Sequence, residues 1–375
     1  MLNDIYYSVN GQKVYNPYLA FLRGSSASYH HFPDFKFMPG VFDLANIEPW
    51  ESFEELCNQR AVQLRAKYDY LVLAFSGGTD SFTVYDSFVR NNIHIDHIVC
   101  HYMETDCGHD KGAADWLVAH HRDPGTKITI QDPNKIPPVT FGNEDWIYEN
   151  RAINYRYRHL LPNFEFVESC RLEARGKSFA VISGHEKPHL ILDNRQWYMT
   201  FLDQPTQCIM GLDNCEMFFV TADMPQLHIK QCHMLARFLT KPARSKTTKT
   251  FFTGPLAHGS NYMQWNRAIG RVGEAVQDNS LTQKLVFKIP ILQSNSTSTD
   301  LVVGKNPSMA LLNEHSLDHN TNAKNFLAGI NHLQTNTLMK KYLLNHGVLG
   351  DLESTVFEGY TKLISAPIWL GSLDD

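Results

Sequence analysis

The sequence predicts an α/β fold: a doubly wound parallel sheet with a mainly helical C-terminal region. Short apolar runs recur along the chain, segments with helical spacing lie between them, and a glycine-rich turn follows the first run. Strands that alternate with helices form parallel sheets covered on both faces. We therefore expect a lead-in with one helix over residues 1–65, a sheet domain over 66–240 and a helical region over 241–375.

The spacing of apolar residues gives each predicted element. Residues 53–67 fit an amphipathic helix, 70–75 a buried strand, and 80–91 the helix that follows the glycine-rich turn. Further predicted strands cover 95–102, 127–131 and 179–182, and further predicted helices cover 112–121, 143–175, 226–239, 261–277 and 322–344. The first 50 residues are rich in Tyr, Phe, Pro and Gly, which indicates irregular structure or short strands.

Composition argues against several classes of protein. The 34 Lys and Arg against 39 Asp and Glu give a net charge of −5, so nothing global draws the chain to nucleic acid or to an anionic membrane. We find neither a leader-like N-terminus nor an apolar run of membrane-spanning length. The seven cysteines are scattered without a C-x-x-C pair, which is typical of reduced thiols. We therefore expect a cytoplasmic protein.

The loop after the first strand has the chemistry of a phosphate site. It reads Ser76-Gly77-Gly78-Thr79-Asp80-Ser81. Glycines let the backbone approach an anion, and amides at a helix N-terminus favour one. The loop is neither the G-x-x-x-x-G-K-[ST] nor the G-x-G-x-x-G pattern. The alternative is an ordinary turn with Asp80 as the helix N-cap.

Two later strand ends carry further candidates. Strand 179–182 runs into Ser183-Gly184-His185-Glu186-Lys187-Pro188. In a doubly wound sheet, this strand end faces the same crevice as the glycine-rich loop. The strand over 95–102 ends in His101 and Tyr102. Both strand ends have a plain alternative, a solvated turn for the first and a strand cap for the second.

The loop over residues 76–81 resembles the S-G-G-x-D-S signature of the PP-loop ATP pyrophosphatase superfamily. That group includes the synthetase domain of asparagine synthetases, NAD and GMP synthetases, tRNA-modifying enzymes and sulfonucleotide reductases. The resemblance implies a layered HUP-like fold and an enzyme that transfers AMP from ATP to a carboxylate or carbonyl oxygen. It also implies that Ser76, Gly77, Gly78, Thr79 and Ser81 cradle pyrophosphate, and that Asp80 acts catalytically through Mg²⁺.

The same resemblance assigns roles to the later motifs. His101 and Tyr102 would pack against adenine, Gly184 and His185 would contact the nucleotide, and Glu186 would bind Mg²⁺ with Asp80. Lys187 would neutralise the α-phosphate as pyrophosphate leaves, as a catalytic residue. Residues 183–188 match neither the Gly-Asp-Gly-x-Asp-Glu nor the Gly-His-x-x-Asp-Asp pattern of two subfamilies. The subfamily therefore stays open.

The resemblance favours an asparagine-synthetase-like reaction on a small-molecule or nucleobase substrate. Leu2 stands where the built-in glutaminase has its cysteine, so we expect free ammonia, an ammonia-supplying partner or an amine as the donor. The chain is also similar to uncharacterised PP-loop proteins of large bacteriophages, some of them described as asparagine-synthase-like. The alternatives are a sulfur-transfer or sulfonucleotide-reductase relative, which needs an essential cysteine, and a non-catalytic adenine-nucleotide sensor.

A cluster of arginines leaves the question of nucleic acid open. Five arginines lie within residues 151–175, interspersed with glutamates. They form either an anion-binding face for a polyphosphate, an acidic substrate or RNA, or a solvated helix face. The oligomeric state is open as well.

Overall fold

The computed structural model describes residues 5–16, 19–20, 23, 34–75, 79–101, 109–131, 169–184, 188–193, 195–201, 214–240, 274–276 and 365–372. The strands are β1 (Ile5–Val9), β2 (Gln12–Val14), β3 (Asp34–Phe37), β4 (Tyr70–Phe75), β5 (His97–His101), β6 (Lys127–Gln131), β7 (Phe179–Ser183), β8 (His189–Asp193), β9 (Gln196–Thr200), β10 (Cys215–Met217), β11 (Glu274–Val276) and β12 (Ile368–Ser372). The helices are α1 (Phe53–Lys67), α2 (Thr79–Arg90), α3 (His109–His120) and α4 (Pro225–Thr240).

A five-stranded parallel sheet lies at the centre, in the order β10-β7-β4-β5-β6. The predicted α/β class is therefore confirmed. The chain enters the sheet at β4, adds β5 and β6 on one side, and then returns to add β7 and β10 on the other. The strand order thus reverses between β4 and β7, which is compatible with a doubly wound fold.

Different elements cover the two faces of this sheet. On one face, Leu71 and Leu73 of β4 belong to a core shared with helices α1 to α4. On the other face, Val72 and Val181 pack with Ala174, which lies in the helical residues 169–174. Burial on both faces explains why β4 reads as an unbroken apolar run rather than an alternating one.

Two smaller sheets adjoin the central one. The lead-in contributes an antiparallel sheet in the order β2-β1-β3, and Phe37 of β3 stacks on Phe201 with 4.0 Å between ring centroids. The hairpin of β8 and β9, which follows β7, is flanked by β11 and β12 in a four-stranded sheet. The hairpin lies in the connection between β7 and β10, and the sequence analysis did not predict it.

The predicted elements of the central region agree with the structure. The bounds predicted for α1, β4 and β6 are those observed, and α2, α3, β5, β7 and α4 begin and end within three residues of their predictions. The helix predicted over 261–277 is wrong at Glu274–Val276, because these residues pair with β8 as a strand. Most of the remaining predicted helical region lies outside the described residues. Among the described residues, no helix combines the length and apolar character needed to cross a membrane.

Candidate functional site

The candidate site lies where the strand order of the parallel sheet reverses. Leu73 of β4 pairs with Ile182 of β7, so these neighbouring strands end at nearly the same level. The glycine-rich loop leaves β4 after Phe75, and Gly184 follows the last residue of β7. Ligands of open α/β sheets bind outside the carboxyl ends of the strands at such a reversal.

Helix α2 brings the end of the glycine-rich loop into the site. It begins at Thr79 and carries Asp80 in its first turn, where the helix dipole favours negative charge. Asp80 is half-buried and Ser81 is buried. The helix is held in place because an unbroken run of buried residues begins at Ser81 and extends to Phe88.

Gly184 packs against the backbone at the start of α2. A Cβ atom added to Gly184 would lie 3.1 Å from the carbonyl carbon of Asp80 and 3.2 Å from both the Asp80 oxygen and the Ser81 nitrogen. These contacts are tighter than most Cβ contacts, so a side chain here would require the backbone of Asp80 and Ser81 to shift by a few tenths of an ångström. The two motifs that the sequence analysis singled out therefore meet here, and we call Asp80, Ser81 and Gly184 the switch-point site.

An aromatic cluster packs between β4, α2 and α3 beside the switch-point site. Phe75 ends β4, and its ring lies 5.7 Å from the ring of Tyr85. Trp116 of α3 meets Phe82 edge to face at 5.0 Å, and the Tyr85 hydroxyl lies 3.0 Å from Nδ1 of His121. Burial raises the pKa of Tyr85 and lowers that of His121. The cluster fixes the end of β4 and the first turns of α2 relative to each other.

The remaining predicted site residues are only partly described. His101 is the last residue of β5, at the same edge of the sheet, and is described by its backbone, as is Thr79. The other predicted residues lie outside the described part: Ser76, Gly77, Gly78, Tyr102, His185, Glu186 and Lys187. Their roles stay predictions. Within the described residues, no three metal-ligating side chains lie close together. An Mg²⁺ ion bound to a polyphosphate needs only one or two protein carboxylates, because the phosphates and water supply the other ligands.

The sequence analysis missed a buried ion-pair network between α1 and β10. Arg60 and Lys67 of α1 contact the two carboxylate oxygens of Glu216 at 2.9 and 2.7 Å, and the Tyr68 hydroxyl donates to Glu216 at 2.5 Å. Lys67 also contacts Asp223 at 2.9 Å. We call these five residues the ion-pair network. A lone glutamate directly before an apolar run, Met-Phe-Phe-Val, was a signal for it, because a buried carboxylate needs partners.

A second polar cluster joins three strands on the opposite face of the sheet. His97 of β5 contacts Thr129 through Nε2 at 2.8 Å, and its Nδ1 lies 3.4 Å from Glu173. Glu173 also accepts a hydrogen bond from the Tyr70 hydroxyl at 3.2 Å and pairs with Lys127. Burial lowers the pKa of His97 to about 4. The cluster begins at the amino end of β5, away from the switch-point site.

Two comparisons of this chain with known proteins find no match. A scan of the chain against protein-family models finds no match, and a search of curated proteins finds none either. The switch-point site and the loop sequence beside it therefore carry the functional argument.

Proposed function

We propose that this chain is an ATP-dependent adenylating enzyme of the PP-loop type, which converts ATP to AMP and pyrophosphate. The observation that carries the proposal is the contact between Gly184 and the backbone of Asp80 and Ser81. It brings Asp80 and Ser81, at the end of the glycine-rich motif, next to Gly184 of the second strand-end motif, at the edge of the sheet where doubly wound folds bind nucleotides. The strand order, which reverses between β4 and β7, supports the finer assignment to a doubly wound, HUP-like sheet.

The residues of the switch-point site fit a bound polyphosphate. The amides at the start of α2 would donate to an anion at the helix N-terminus, next to which Ser81 is buried. The absence of a side chain at Gly184 leaves the backbone of Asp80 and Ser81 close to the end of β7. Asp80, together with Glu186 from the second motif, would hold Mg²⁺. When bound, the metal supplies positive charge against the phosphates.

The proposed reaction has two steps. A carboxylate or carbonyl oxygen of the acceptor bonds to the α-phosphorus of ATP, and the bond from that phosphorus to the bridging oxygen breaks, which releases pyrophosphate. Ammonia or an amine then attacks the activated carbon, and AMP leaves with its oxygen. Lys187 would stabilise charge on the α-phosphate in the first step. The acceptor is a small molecule or a nucleobase, in the manner of asparagine synthetases without their glutaminase.

The described cysteines argue against the sulfur-transfer alternative. Cys57, Cys170 and Cys232 are buried, and burial raises the pKa of each thiol, that of Cys170 to about 12. A reactive cysteine instead needs a lowered pKa and access to solvent. Cys215 is half-buried and is the most exposed of the described cysteines, so its substitution by serine tests whether one of them is essential. We expect pyrophosphate release to persist in Cys215→Ser.

The experiment follows the fate of labelled ATP. The purified protein is incubated with Mg²⁺, an ammonium salt and a metabolite extract, using ATP labelled at the α-phosphate in one reaction and at the γ-phosphate in another. We expect labelled AMP and labelled pyrophosphate. The variant Asp80→Asn should lose at least about a hundredfold in rate, on the scale of one lost electrostatic contact. Asp115→Asn, on the exposed side of α3, is the matched control and should keep the rate.

The products separate the alternatives. ADP and phosphate would contradict the adenylating reaction. Tight binding of ATP without turnover, under every acceptor supplied, would favour the nucleotide sensor. AMP and pyrophosphate that persist in Asp80→Asn would show that the reaction does not use the switch-point site.

A further inference from the structure

Three exposed apolar side chains form a ridge before α1. Leu44, Ile47 and Trp50 are 68%, 60% and 87% exposed and lie three residues apart, and the Ile47 amide donates to the Leu44 carbonyl oxygen at 3.0 Å. We call them, with Glu51, the acidic ridge. Single exposed apolar residues are ordinary, but several that lie together mark a contact surface.

Helix α4 forms ion pairs and a hydrogen bond with the segment that carries the acidic ridge. Glu48 forms ion pairs with Lys230, at 2.7 Å, and with Arg237. His233 donates through Nε2 to the carbonyl oxygen of Ala45 at 2.8 Å. These contacts fix the backbone between the three apolar side chains, so the ridge is presented in one arrangement. A fixed surface loses less conformational entropy when a partner binds.

The charge around the ridge is negative. Residues 37–59 contain five carboxylates and no lysine or arginine: Asp43, Glu48, Glu51, Glu54 and Glu55. Glu48 and Glu54 are neutralised by ion pairs, and Glu55 completes the capping box of α1. Asp43 and Glu51 form no ion pair with the described residues. Two unneutralised carboxylates therefore flank the apolar side chains.

A surface cleft of about 340 Å³ opens beside Glu51. Leu56 and Met224 give it an apolar part, and it is otherwise lined by the amides of Gln59, Gln63 and Gln226. A lysine or arginine side chain would suit this cleft. Its aliphatic stem can lie along the cleft while its charged end meets the Glu51 carboxylate.

We propose that the acidic ridge and its cleft dock a basic, amphipathic segment of a partner protein. Charge complementarity selects this occupant, because Asp43 and Glu51 lie beside apolar side chains and form no ion pair with the described residues, whereas the nearby cations of α2 and α4 are already paired with Glu54 and Glu48. Trp50 is the central contact, since buried tryptophan contributes strongly to the affinity of protein interfaces. This docking surface does not depend on the proposed chemistry at the switch-point site.

The test measures binding of a defined probe by fluorescence anisotropy. The probe is a fluorescein-labelled amphipathic peptide of leucine and lysine, compared with one in which glutamate replaces lysine. We expect the lysine peptide to bind the full chain, the glutamate peptide not to bind, and added salt to weaken binding. Trp50→Ala and Glu51→Lys should each lower the affinity at least about tenfold. Trp369→Ala and Asp115→Lys are matched controls at other exposed positions and should keep the affinity.

Circular dichroism and thermal unfolding of each variant establish that it folds, which we expect because the changed side chains lie at the surface. Three results would overturn the proposal: equal binding by the wild type and both ridge variants, binding of the glutamate peptide as strong as that of the lysine peptide, and binding of neither. Sedimentation velocity gives a fourth. Self-association that Trp50→Ala abolishes would make a second copy of the chain the occupant.

Discussion

The switch-point site and the ion-pair network pack secondary structure in opposite ways. At the switch-point site, Gly184 contacts the backbone of Asp80 and Ser81 with no side chain between them. In the ion-pair network, Arg60 and Glu216 join α1 to β10 through charged side chains that are almost fully buried. Both regions bring two distant parts of the chain together, but one does so with backbone and the other with charge.

The difference indicates what each region is for. Charges that satisfy one another inside a protein fix its structure and are not available to a ligand. The backbone contact of the switch-point site instead lies at the carboxyl end of parallel strands, which is where doubly wound folds bind ligands. We therefore expect changes in the ion-pair network to alter stability and changes in the switch-point site to alter nucleotide turnover. Four predictions test this separation, from the largest expected effect to the smallest.

Glu216→Gln should produce the largest loss of stability. The substitution keeps the size of the side chain but leaves Arg60, which is 0% exposed, without its counter-charge. Breaking a buried ion pair by removing one partner costs about 3–5 kcal/mol. Urea denaturation measures this loss as a lower free energy of unfolding, and pyrophosphate release per folded molecule should be unchanged.

The matched control for Glu216→Gln is Asp223→Asn. Asp223 pairs with the same Lys67, but its side chain is 27% exposed, so water can replace the lost contact. We expect a loss below about 1 kcal/mol, as for other exposed ion pairs. Equal losses in the two variants would mean that the burial of Glu216 does not determine the strength of the network.

His97 should make stability depend on pH. Burial lowers its pKa from the ordinary 6.5 to about 4, so between these values the unfolded chain binds a proton that the folded chain does not. Stability is therefore unaffected by His97 above pH 6.5 and falls as the pH drops from 6.5 towards 4. From the size of the shift, the loss approaches about 3 kcal/mol.

The measurement for His97 is the free energy of unfolding at several pH values, for the wild type and for His97→Gln. Glutamine keeps a polar partner for Thr129 but does not titrate. The difference between the two curves isolates the histidine from the carboxylates that also titrate in this range. Parallel curves between pH 4 and pH 6.5 would contradict the assigned shift.

Gly184→Ala should separate the two regions most directly. The added methyl group would lie 3.1 Å from the Asp80 backbone, so the start of α2 must move. A misplacement of about 1 Å costs about a hundredfold in rate, so this smaller shift of a few tenths of an ångström should cost about tenfold. Gly125→Ala is the control, because its methyl group would meet side-chain atoms of His94 and Asp123, which can move. Unchanged pyrophosphate release in Gly184→Ala would mean that the reaction does not take place at the switch-point site.

Part of this arrangement could be predicted from the sequence. The unbroken apolar run of β4 and the helical spacing of α1 could be predicted, because burial on both faces of a sheet or on one face of a helix leaves a direct trace in the residue pattern. The contact of Gly184 with Asp80 follows only in outline from two strand ends at one edge. The β8–β9 hairpin and the partners of Glu216 depend on contacts between residues far apart in the chain, such as Arg60 with Glu216, which no local pattern records.

Ser52→Ala should give the smallest of the four effects. The Ser52 hydroxyl accepts a hydrogen bond from the Glu55 amide at 3.1 Å, and the Glu55 side chain accepts one from the Ser52 amide at 2.8 Å. Loss of the cap costs about 1 kcal/mol, because an amide at the start of α1 loses its partner. Helix α1 also carries Arg60 and Lys67, so the double variant Ser52→Ala/Glu216→Gln shows whether cap and network are independent. Ser52 and Glu55 lie eight and five residues before Arg60 and pair with each other rather than with the ion-pair network, so the two losses should add. A double variant less destabilised than the sum would mean that the network, and not the cap, fixes the start of α1.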